Sequence, residues 1–179
     1  MNQDELAIYL AVTNFATENL FWQLVYLNNA IFQTPLKIEA KEKLLGMKKM
    51  CGTIISSFYP SGEGGELVEA MAKNNRLFVA YADSVMQGSG HSGILKRQWR
   101  ENGQQIARLL CRMNPYWRTA EWTAMINHEA DLLDKIATSL HARNYTVFVD
   151  IAPICRRLAI DMSNYMSSGL AKQLRCTTP

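Results

Sequence analysis

Apolar positions along this chain recur at steps of three and four from one end to the other, and no alternating, strand-like run interrupts them. From about residue 4 to 33, Leu6, Leu10, Thr13, Thr17, Leu20, Leu24, Leu27 and Ile31 fall along one side of a helix. Phe21, Val25 and Phe32 widen that stripe and predict burial on more than one side, and Pro35 closes it. A second helix over about 36–58 turns Leu44, Met47, Cys51, Ile54 and Phe58 inward. Gly46 and Gly52 weaken it by about 1 kcal/mol each relative to alanine. The breaker YPSGEGG (59–65) leads to a third helix over about 66–87, with Leu67, Met71, Asn74, Phe78, Tyr81 and Val85 on one face.

GSGHSG (88–93) is a second breaker. A fourth helix over about 94–113 follows, with Leu95, Trp99, Asn102, Ile106, Leu109 and Met113 at core spacing. The fifth, about 120–142, carries Trp122, Met125, His128 or Glu129, Leu132, Ile136 and Leu140. The sixth, about 145–174, carries Phe148, Ile151, Cys155, Leu158, Met162, Tyr165, Gly169 and Gln173. Pro153 inside it predicts a kink or a delayed start. Between the fourth and fifth helices, Asn114 precedes Pro115 and is pushed out of the α conformation, which makes Asn114-Pro115-Tyr116-Trp117 a corner. Thr119 is placed to cap the next helix, with Glu121 in its first turn. Short connections between long amphipathic helices favour antiparallel neighbours.

Composition narrows the picture. With 179 residues, 48% hydrophobic and 20% charged, the chain suits one soluble domain with a core that needs no disulfide or metal. No stretch reaches the roughly 20 apolar residues of a membrane helix, and Asp4 and Glu5 stand where a secretory signal would carry Lys or Arg. Cys51, Cys111, Cys155 and Cys176 are widely spaced, and the first three sit among apolar residues, as structural thiols do. The net charge of +3 is segregated. Lys96, Arg97, Arg100, Arg108, Arg112 and Arg118 face only Glu101 in one stretch, whereas Glu121, Glu129, Asp131, Asp134 and Asp150 outnumber Lys135 and Arg143 in the next. Adjacent antiparallel helices of opposite sign would attract one another.

From Trp99 to about residue 173 a set of ordered motifs recurs: Trp99, Asn102, Ile106-Ala107, Asn114 to Trp117, Trp122, His128, Met162 and Gly169. In these the chain resembles a family of small all-helical bacterial proteins with an Asn-Pro-Tyr-Trp motif, whose members often carry the name acetylglutamate kinase. The resemblance implies a helical fold. It also implies histidines in the first and third helices, where this chain has Leu20 and Asn74, and an aspartate where it has Asn164. Any family site built on those histidines is therefore largely lost here. The kinase name itself finds no support, because neither glycine-rich stretch follows a strand and no phosphate-binding loop is present.

Candidate chemistry is sparse. Bundle di-metal sites use Glu-x-x-His pairs, which project together. His91, His128 and His141 instead follow Gly88, Met125 and Thr138 by three residues. No metal ligands are predicted, and His128 with Glu129 offers at most a single weakly held ion. Asn74, Asn102 and His128 lie near the apolar faces of consecutive helices. They form either a hydrogen-bonded core network or a small-ligand site between helices. Arg97, Arg100, Arg108 and Arg112 form a basic stripe, either paired with the acidic fifth helix or open to an anion. No catalytic residue is predicted, since no nucleophile elbow occurs and no cysteine has a charged setting that would activate it.

The sequence thus predicts a single all-α domain over 1–179, an up-down antiparallel helical bundle of four principal helices plus one or two additional ones. The first functional reading is a non-catalytic interaction or assembly protein of the cytoplasm. It works without cofactor, membrane or nucleic acid, as a homo-oligomer or with a protein partner. The alternative is a metal- or small-ligand-binding bundle with a degenerate polar site between helices, and a third reading is anion or nucleic-acid binding through the basic helix.

Overall fold

A computed structural model describes residues 3–59, 62 and 64–177, with side chains as far as Arg175. Pro60, Ser61 and Glu63 of the first breaker, and the Cys176 thiol, lie outside the described residues. The described residues form six helices: α1 (Gln3–Phe32), α2 (Leu36–Phe58), α3 (Gly65–Met86), α4 (Ser92–Met113), α5 (Thr119–His141) and α6 (Tyr145–Thr177). No strand occurs among the described residues, and none of the described helices is long and apolar enough to cross a membrane.

The helices alternate in direction. Glu5 at the start of α1 pairs with Arg175 near the end of α6, and Phe32 stacks on Tyr145 at the opposite end with ring centroids 5.7 Å apart. α1 and α3 run parallel, tied by Asn75 Nδ2 donating to Asn19 Oδ1 at 2.8 Å and Tyr26 Oη donating to Asp83 Oδ1 at 2.7 Å. Each helix packs against its sequence neighbours, α1 closes the ring against α6, and α1, α3 and α5 also meet one another. The result is an all-α up-down bundle.

Two apolar clusters fill it. One, toward the Phe32 end, joins Tyr26, Leu27, Phe78, Trp99, Leu133 and Ile136. The other, toward the corner, joins Val12, Ile55, Leu67, Ile106, Trp117 and Trp122. Two details of α1 differ from the expected stripe. Phe21 and Phe32 are both 54% exposed, as are Leu6 and Leu10 in large part. The buried line runs instead through Ile8, Val12, Leu20, Gln23, Leu27 and Ala30, because α1 presses on α2, α5 and α6 with a different part of its circumference.

The corner after α4 is a structural joint. Asn114 is fully buried, donates from Nδ2 to Gln173 Oε1 at 2.8 Å, and accepts the Tyr116 backbone N–H on Oδ1 at 2.9 Å. Trp117 drops into the second cluster and donates its indole N–H to the Tyr165 carbonyl at 3.3 Å. Thr119 does not cap α5: Arg118 occupies the cap position, and its backbone N–H is taken by Tyr165 Oη at 2.8 Å. α6 continues through Pro153 as one helix, so its regular start is not delayed.

Candidate functional site

Beside the second apolar cluster, polar side chains from several helices come together. Asn19 on α1, Asn74 and Asn75 on α3, Glu129 on α5 and Ser163 on α6 all line a cavity of about 120 Å³. Engineered apolar cavities of about 150 Å³ admit benzene, so the space suits a small molecule. Its walls are otherwise apolar, with Phe15, Ile106, Leu110, Trp122 and the thioethers of Met47, Met71, Met162 and Met166.

Most of the polar layer is internally satisfied. Asn75 Nδ2 donates to Asn19 Oδ1 at 2.8 Å and to the Leu44 carbonyl at 3.1 Å, which joins α3 to α1 and α2. Asn102 Nδ2 donates to the Ala70 carbonyl at 2.9 Å and more distantly to Asn74 Oδ1 at 3.4 Å. The Ser163 hydroxyl donates to the Ala159 carbonyl at 2.7 Å.

Three groups are not. The Glu129 carboxyl receives no hydrogen bond or ion pair among the described residues, and burial alone pushes it up from 4.5 to about 7. The indole N–H of Trp122, a residue only 3% exposed, is buried without a partner, as is Asn102 Oδ1. An unmet buried polar group costs on the order of 1–3 kcal/mol; of the three residues, Glu129 and Trp122 line the cavity and Asn102 lies outside its lining. Glu129 also acts on its neighbour. The Cys155 thiol is raised to about 12, chiefly by burial and then by the nearby carboxyl, and Cys51 in the cavity wall is raised to about 12 by burial. Both remain protonated thiols at neutral pH, which fits their expected structural role.

The residues singled out from sequence are only partly brought together. Asn74 and Asn102 do meet, as described. His128 does not join them: it sits on the exposed side of α5, and Glu129, one residue on, occupies the interior. The buried register of α5 is Trp122, Ala130, Leu133, Ile136, Ala137 and Leu140, and a shift of one residue turns a side chain by about 100°. The missed groups are Glu129, Asn75, Asn19 and Ser163. Only Glu129 had a sequence signal, as the other candidate at the His128 position.

The basic stripe of α4 is divided. Arg100 pairs with Asp131 of α5, and Arg112 with Glu66 of α3 at 2.5 Å. Lys96 joins them, bound to Asp134 at 2.6 Å. Arg97 and Arg108 are exposed. Two ion pairs thus join α4 to α5, and the rest of the basic stripe lies elsewhere. Near the second breaker an open depression gathers Ser89, Lys96, Asp134 and His141, and its lysine is likewise held by Asp134. Among the described residues, no three His, Cys, Asp or Glu side chains come close enough together to hold a metal ion.

No protein-family model, characterised protein or solved structure matches this chain.

Proposed function

We propose that this helical bundle binds a small amphipathic molecule in its central cavity, as a carrier or sensor that breaks and makes no bond in it. The observation that carries the reading is an unpartnered, half-buried carboxyl, Glu129, in the lining of a largely apolar cavity whose other polar members Asn19, Asn75 and Ser163 are already hydrogen-bonded. Such groups weaken a fold unless something compensates them, and a cavity able to admit the compensating group supports reading this one as a binding site. The cavity thiol of Cys51, held protonated, supports binding over covalent chemistry. The free buried thiols of Cys51 and Cys155 support a reducing, cytoplasmic setting.

Native mass spectrometry of the untagged full chain tests this. A stoichiometric extra mass, lost when Ser163→Leu fills the cavity, is the expected result. The same extra mass retained by the filled variant would place the ligand elsewhere and end the reading.

A second reading, assembly with a further copy, is supported by the apolar residues that α1 and α6 leave outside. Phe21, Phe32, Tyr145 and Val149 are all at least 44% exposed. Light scattering across a concentration series is expected to show a dimer that Phe32→Glu dissociates. A monomer at every concentration would exclude it.

A further inference from the structure

The structure points to a ligand class: we infer that the occupant is a slender primary monoamine with an apolar body, its ammonium held by the Glu129 carboxylate. The inference rests on reading the cavity as a ligand site and specifies its chemistry.

Charge decides between the candidates. A neutral apolar guest would leave the Glu129 carboxylate unpaired, and an anionic guest would bring a like charge against it. An ammonium supplies N–H donors and the opposite charge, and charge-assisted hydrogen bonds of this kind are roughly twice as strong as neutral ones. No cation among the described residues takes that place. Lys48 is the one cation in the cavity lining, and it is engaged by Glu69. The other ionisable groups near Glu129 are the thiols of Cys155 on α6 and Cys51 on α2. α1, α3 and α4 present asparagine and apolar side chains to the cavity but no ionisable group.

The lining limits the ligand to one ammonium. Glu129 is the one carboxyl among the described residues that line the cavity, so a second ammonium would find no counter-charge there. The wall also includes Ile126 and the flexible side chains of Met71, Met162 and Met166, which adapt to an alkyl body.

Calorimetric titration of the full chain at pH 8 with n-hexylamine, n-hexanol, hexanoate and hexane-1,6-diamine tests this, on wild type and on Glu129→Gln, with circular dichroism confirming that the variant folds. Hexylamine is expected to bind wild type at least tenfold more tightly than the other three, and Glu129→Gln is expected to bring it level with hexanol. If hexanol, hexanoate or the diamine binds as tightly as hexylamine, or if the amine preference survives Glu129→Gln, the amine assignment is wrong while the cavity remains a ligand site. If none of the four binds wild type but native mass spectrometry still shows a cavity-dependent mass, the assignment fails alone. If neither method detects a ligand, the cavity reading fails with it.

Discussion

Glu129 is the residue at which stability and binding oppose one another. Its carboxyl titrates at about 7 in the fold and near 4.5 when unfolded, so the folded chain holds the proton more tightly over that interval. Folding stability from this group is therefore full below about pH 4.5 and falls as pH rises through 7, by about 3 kcal/mol in total. Glu129→Gln removes that dependence. Relative to wild type, the variant's melting temperature should rise on the order of 5–10 °C more at pH 8 than at pH 4.5, using about 2–4 °C per kcal/mol for a chain of this size. Thermal denaturation at the two pH values checks it, and an equal offset at both would show the carboxyl to be solvated. Binding runs the other way. Because an ammonium needs the carboxylate, hexylamine affinity should rise about tenfold from pH 6 to pH 8 and then level. The nearby Cys51 and Cys155 thiols, raised to about 12, do not titrate in that range.

Among the helices, the termini were legible in sequence and the facing of each helix was less so. Pro35, the glycine breakers and the Asn114-Pro115 step act through backbone geometry, which does not depend on what packs nearby. The helix ends accordingly fall within about two residues of expectation over most of the chain. Facing depends on the neighbours. The stripe through Met125, His128 and Leu132 competes on α5 with one through Ile126, Glu129 and Leu133, and both are apolar enough to look like a core. Contact with α4 and α6 selects the second and carries Glu129 inward. The same ambiguity on α6 hid Ser163 and Ser167, small residues buried where large apolar ones were expected. Gly169 explains why α6 must be small there. A Cβ at this position would come within 2.6 Å of Cδ1 in the Trp117 indole, a rigid ring already held by the Tyr165 carbonyl. Gly169→Ala should therefore destabilise the fold by about 1–3 kcal/mol, the range for overpacking a filled core. Urea denaturation measures this, and an unchanged midpoint would show the corner to be looser than the geometry implies. Gly103→Ala, facing the Cγ2 methyl of Ile126 at 2.6 Å, should be milder because a methyl group yields more easily than an indole.

For the molecule as a whole, two apolar clusters fill one bundle, and the cavity opens in the second of them, at a level where polar side chains gather. That arrangement could not be read from any single helix, because Asn19, Asn75, Glu129 and Ser163 come from four separate helices and converge only through packing. The sequence did mark Asn74 and Asn102 as polar groups at core spacing, and these two do lie side by side. The most direct test of a ligand-binding cavity uses the methionines. Four of the nine, Met47, Met71, Met162 and Met166, line it, whereas Met50, Met86, Met113 and Met125 do not. Methyl resonances of [13C-methyl]methionine-labelled protein, followed during hexylamine titration, should shift in saturable fashion at those four positions and little elsewhere. Saturable shifts at Met50, Met86, Met113 or Met125, with the cavity methyls still, would contradict a binding site at the centre of the bundle.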